Sequence, residues 1–153
     1  MKLIAIAALL AAALIIEARA DDRCSWIAAT VASKHLSESK SGKDYNERNY
    51  GFGGENCLGD VFGIPVRGVA GFFRNSNRID SLYVGFSAAL VQVGPVSAGL
   101  AAVLVSGYEV EPIKAPFPVL AIEGEKLGAN ISYFPRTNKN VAALGLQLKW
   151  RFR

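Results

Sequence analysis

The stretch that decides how this chain folds is its last: Ala142-Ala143-Leu144-Gly145-Leu146-Gln147-Leu148-Lys149-Trp150-Arg151-Phe152. In an extended backbone Leu144, Leu146, Leu148, Trp150 and Phe152 fall on one face. Ala143, Gly145, Gln147, Lys149 and Arg151 fall on the other. A period of two, with one wholly apolar face and one polar face, describes a strand between two different solvents. Asp80 to Gln92 repeats the pattern: Leu82, Val84, Phe86, Ala88 and Leu90 alternate with Ser81, Tyr83, Gly85, Ser87 and Ala89. Apart from Tyr83 the second face is small, which leaves space inside a closed barrel.

Working outward from these two segments, eight strands are expected over residues 25–36, 46–58, 60–73, 79–93, 96–108, 117–124, 127–134 and 141–152. The connections at 93–96 and around Gly59 are tight, whereas 37–45, 74–78, 109–116 and 135–140 are longer and polar. Alternating short turns and long loops, with both termini on the short-turn side, are the layout of an eight-stranded antiparallel up-and-down transmembrane β-barrel. Strands of this length span a bilayer with every backbone group paired. The Leu-x-Leu-x-Trp-x-Phe ending suits a barrel-terminal strand, although Arg153 follows the final aromatic. The alternative is a soluble periplasmic sandwich or lipocalin-like barrel, with its apolar face inside.

Composition narrows the function. The 153 residues are 51% hydrophobic and carry a net charge of +4. That mild excess does not argue for nucleic acid. One His and two Cys exclude a His cluster or a Cys-rich zinc site, and no phosphate-binding glycine loop or nucleophile elbow occurs. No cofactor or metal is expected.

Lys2, the 14-residue apolar run Leu3 to Ile16 and Ala18-Arg19-Ala20 form the three parts of a secretory signal peptide, so residues 1–20 are expected to be cleaved. Residues 21–153 then form a single barrel domain in the outer membrane of a Gram-negative-type envelope, closed by its own strands as a monomer. If the first two strands form a hairpin, residues whose numbers sum to about 81 face each other. Cys24 then lies opposite Cys57 at the short-turn end and His35 opposite Asn46 at the loop end. An oxidising compartment permits a Cys24–Cys57 bridge; two separate thiols are the other reading.

Tyr45-Asn46-Glu47-Arg48, followed by Gly51-Phe52-Gly53-Gly54, resembles the second-strand motif of the lipid A palmitoyltransferases. The likeness runs over most of the chain past residue 20. His35 stands ten residues before Tyr45, as the family's essential His does. Phe73-Arg74-Asn75-Ser76 resembles the segment carrying the family's Asp-Ser pair. Gly107-Tyr108, Pro116-to-Pro118 region residues Phe117-Pro118, and Tyr133-Phe134-Pro135 resemble its sixth and seventh strands. Two departures stand out. Asn75 occupies the place of the Asp, and almost nothing corresponds to the family's N-terminal surface helix.

The resemblance implies an outer-membrane enzyme that moves an acyl chain from a phospholipid donor to a lipid A acceptor. His35 would be the general base, Ser76 the catalytic hydroxyl and Asn75 the group that orients them. Asn75 carries no charge to support an imidazolium; Asp44, Glu47 and Asp80 lie near enough in sequence to replace it. Arg48 and Arg74 would hold lipid phosphates. Pro118 and Pro135, facing one another without N–H donors, would open the wall to acyl chains. Ser87, where the family has a Gly at the base of its acyl pocket, would favour a chain shorter than palmitoyl. Two other activities fit the same residues: a non-catalytic lipid-binding or structural barrel, and a lipid A acyl hydrolase.

Overall fold

The computed structural model describes residues 25–37, 44–108, 116–137 and 141–151. Eight strands follow in order: β1 (Trp26–His35), β2 (Gly51–Val61), β3 (Ile64–Arg74), β4 (Asp80–Val93), β5 (Val96–Val105), β6 (Phe117–Glu123), β7 (Leu127–Phe134) and β8 (Ala143–Trp150). Each pairs antiparallel with its sequence neighbour, and β1 pairs with β8, so the sheet closes on itself. Full closure leaves no edge strand to protect.

The alternation read from the sequence sorts the faces as expected. Leu144 and Leu148 point outward and are exposed, as are Phe52, Phe72, Phe86, Leu100, Leu104, Leu120 and Ile131 on neighbouring strands. Inside lie Glu55, Asn130 and Lys149, all buried, with Arg67 half-buried among them. An apolar exterior around a charged interior is the distribution of a membrane-type barrel and the reverse of a lipocalin.

The β1–β2 register keeps the sum of 81 from Trp26↔Glu55 to Thr30↔Gly51. Above Thr30 it fails. Residues 44–50 leave the ladder and run as an irregular strap, so β2 starts five residues later than expected and His35 does not face Asn46 in a sheet. The first turn is also displaced. It lies at Phe62-Gly63, not at Gly59, where a bulge between Cys57 and Gly59 shifts the register instead. Phe62 and Gly63 both have positive φ, 53° and 77°, the requirement of a two-residue turn that follows the twist of its strands.

Cys57 is disulfide-bonded. Cys24, the expected signal segment and Phe152-Arg153 lie outside the described residues.

The second-strand glycines have a packing cause. Tyr83 projects inward from β4 and crosses towards β8, where its hydroxyl accepts a hydrogen bond from Gln147 Nε2 at 3.2 Å. A Cβ at Gly53 or at Gly71 would run into that hydroxyl. The two glycines on β2 and β3 therefore make room for one aromatic ring from β4.

Candidate functional site at the loop rim

The upper half of the barrel holds a cavity of about 270 Å³ that opens at the loop end. Val69, Phe73, Val103, Val105, Phe117 and Val119 form an apolar wall, and the rings of Phe117 and Phe134 meet at a tilt of 44° with centres 4.6 Å apart. The volume sits near the lower end of small-molecule clefts, roughly 300–1,000 Å³, and suits one slender chain better than a bulky ligand. His35, Tyr45, Ser76, Asn77, Tyr108 and Pro135 line its upper part. The floor is polar: Tyr83, Gln147, Asn130, Glu55 and Arg67.

His35 ends β1 and is fixed from two sides. Its ring stacks on Tyr45 at 4.0 Å with an interplanar angle of 12°. Its backbone N–H donates to Glu47 Oε1 at 3.3 Å, and Lys34 Nζ reaches the same carboxylate at 3.1 Å. The hydrogen bond from Lys34 holds the Glu47 carboxyl below the usual carboxylate range. His35 Nδ1 is buried and has no hydrogen-bond partner among the described residues. An unsatisfied ring nitrogen at the mouth of a cavity is free to exchange a proton with a bound group.

The Tyr45-Asn46-Glu47-Arg48 run is a strap rather than a strand. Ser33 N–H donates to the Glu47 carbonyl at 2.9 Å on one side of the rim. On the other, Asn46 N–H donates to the Ser76 carbonyl at 2.9 Å and Asn49 Nδ2 to the Arg74 carbonyl at 2.9 Å. The strap thus ties the end of β1 to the β3–β4 loop, the two segments that carry His35 and Ser76. Both residues line one cavity, but no hydrogen bond joins them.

Asn75 does not orient His35. It is 0% exposed, and its side chain is fully engaged by its own loop, by β4 and by the loop after β5. Nδ2 donates to Ser81 Oγ at 3.0 Å and to the Gly107 carbonyl at 2.9 Å. Oδ1 accepts from the N–H groups of Asn77 and Ile79 at 2.8 and 3.0 Å. The Oδ1 contacts form an Asx-type turn, which an aspartate also makes, whereas the two Nδ2 donations need an amide and not a carboxylate.

The remaining expected residues are placed unevenly. Ser87 lines the cavity near its floor, paired across the ladder with Arg67. Arg48 is exposed on the rim, while Arg74 stands 3.5 Å from Asp80 in an exposed ion pair. The two prolines do not face one another. Pro118 points outward on β6 opposite Leu100 of β5, and Pro135 lies past the end of β7. The β6–β7 ladder nonetheless stops at Val119↔Ser132, one residue short of Pro118, as a missing N–H requires.

Glu47, named from the sequence with Asp44 and Asp80 as a possible replacement for the acid, contacts the backbone of His35. Sequence reasoning gave no role to two other contributors. Tyr45, quoted only as part of the family motif, stacks on the His35 ring. Tyr108, in the loop after β5, has its phenol pushed up to about 12 by burial and stays a neutral donor at the cavity mouth. The interior ion lattice was legible only as parity: Lys149 sits on the polar face of β8, but nothing in one strand shows its partners.

No family model matches the chain, and no curated protein does. Among solved structures it is similar to the solution NMR structure of the de novo designed protein TMB2.3. The two share 12% identity and a TM-score of 0.59, over 87% of this chain and 98% of the designed one. At that identity the likeness is one of fold: both chains form the same kind of closed β-barrel.

Proposed function

We propose that this barrel is an outer-membrane acyltransferase that draws a phospholipid acyl chain into its upper cavity and passes it to lipid A at the loop rim. The observation that carries this reading is the apolar cavity whose mouth holds both a histidine with a free ring nitrogen and a serine hydroxyl. His35 takes the proton of the Ser76 hydroxyl as its oxygen attacks the phospholipid ester, and that proton goes to the departing lysophospholipid. A lipid A hydroxyl, deprotonated in turn by His35, then takes the acyl chain from Ser76, while Tyr108 donates to the oxyanion at each step. Bringing base and hydroxyl together falls to substrate binding, since free sites are commonly looser than reacting ones. The polar floor beside Ser87 limits the chain to one shorter than palmitoyl. Arg48 is the better-placed cation for a lipid phosphate, because Arg74 already faces Asp80.

A second reading rests on Asn75. With its side chain committed to the loop, no carboxylate touches the His35 ring among the described residues, which favours a barrel that binds acyl chains without reacting them. Mass spectra of lipid A from cells producing the protein, or its Ser76→Ala variant, separate the possibilities. A gained acyl mass that vanishes in the variant supports transfer and reports the chain length. A lost acyl mass identifies a hydrolase. Unchanged lipid A, with the folded barrel present in the membrane, leaves the binding reading.

A further inference from the structure

Beneath the cavity, four charged side chains from four different strands meet inside the barrel. Arg67 on β3 bridges both carboxylates: it contacts Glu55 on β2 at 3.2 Å and chelates Glu123 on β6, with Nη2 at 2.9 Å from Oε2. Lys149 on β8, 1% exposed, also bridges both, at 3.2 Å from Glu55 and 2.6 Å from Glu123. Asn130 on β7 donates to Glu55. Two cations and two anions leave no net charge. Below this layer, a vestibule opens at the short-turn rim between Pro95, Gly124, Glu125 and Arg151. Arg67 and Ser97 line the vestibule as well as the cavity above. The two openings of the barrel are therefore separated by one layer of ion-paired side chains.

We infer that this layer is a gate, and that the barrel has a second activity as a narrow path for water and small ions. Its physical basis is shared partnership. Each cation already touches both carboxylates. Arg67 can release Glu123 and keep Glu55 while Lys149 keeps Glu123. One of the four ion contacts is lost, but every charge keeps at least one opposite partner, so neither arrangement strands a buried charge. Arg67 is the group that moves, because it alone of the four charges borders both openings. Swinging it towards Glu55 joins the cavity to the vestibule. Two packings that both leave every buried charge paired are what a discrete switch requires.

The test uses the full folded chain, verified by its heat-dependent gel mobility, in planar bilayers bathed in potassium chloride. The wild type should give brief, infrequent conductance steps above the lipid baseline. The paired variant Arg67→Ala/Glu123→Ala removes the wall yet keeps the neutral Glu55–Lys149 pair. Its open fraction should rise by roughly tenfold or more, the bias that coupling between close charge pairs exerts. Glu123→Gln, which conserves shape and removes one charge, should move in the same direction if the double variant fails to fold. Traces from a folded variant that match the wild type, or a wild type and variants that all match lipid alone, overturn the gate and leave the lattice as a static plug.

Discussion

The two halves of this barrel interior are built on opposite principles. The loop-side half is apolar and open: its wall is Val, Phe and Ala, and His35 Nδ1 has no hydrogen-bond partner among the described residues. The short-turn half is charged, with Arg67 and Lys149 each shared between Glu55 and Glu123, while Trp26 Nε1, Asn130 Oδ1 and Arg151 Nε have no hydrogen-bond partner among the described residues. The apolar half leaves space for a ligand, and the charged half ties four strands together through ion pairs that cross the interior. The division predicts that substitutions above Tyr83 alter lipid chemistry with little effect on stability, and that those below it do the reverse.

The largest expected effect is at the rim. His35→Ala should lower acyl transfer by about 10²–10⁴-fold, the usual contribution of a positioned general base, while the barrel unfolds at nearly the wild-type urea midpoint. Transfer assays on refolded protein beside a denaturation curve measure both; an equal loss of stability would erase the division. In the lower half, Lys149→Met leaves two buried carboxylates sharing one cation and should cost about 3–5 kcal/mol. Urea unfolding in lipid vesicles, followed by Trp26 and Trp150 emission, checks this. A cost under 1 kcal/mol would mean that water, not Lys149, balances the cluster.

Asn75 sharpens the comparison, because it sits in the upper half but behaves like the lower. Asn75→Asp restores the acid of the resembled family, yet it removes both donors to Ser81 and Gly107 and sets a carboxylate against a carbonyl. A loss of about 1–3 kcal/mol with no gain in transfer is expected. Faster transfer in Asn75→Asp would instead place the residue in the reaction. The smallest effect is at the opposite end. Phe62 is 102% exposed and holds φ at 53°, so Phe62→Asn should stabilise the hairpin by about 1 kcal/mol, read from the same unfolding curves.

Much of the fold was legible because a strand's periodicity is local. Leu144 to Trp150 and Leu82 to Leu90 declare their faces without knowledge of any neighbour. The β1–β2 register followed from simple pairing as far as Thr30. Beyond that point the reading failed where non-local contacts outweigh alternation. The strap at 44–50 leaves the sheet because Asn46 and Asn49 find better partners in the β3–β4 loop than a β1 ladder offers. The rim residues His35 and Ser76 were found by resemblance, and the cavity that unites them was not visible in the sequence.

The amino-acid sequence by itself determined the number of strands, the two faces of β4 and β8 and the side of the barrel on which the long connections lie. These follow from a period of two and from turn chemistry, both properties of short segments. Only the tertiary structure decided which inward residues meet. Whether Tyr83 finds room against Gly53 and Gly71 depends on the stagger between strands. The same stagger sets whether Asn75 faces His35 or its own loop, and whether four charges from β2, β3, β6 and β8 share one plane. In a closed barrel that stagger is fixed by the ladders acting together, and no single strand encodes it.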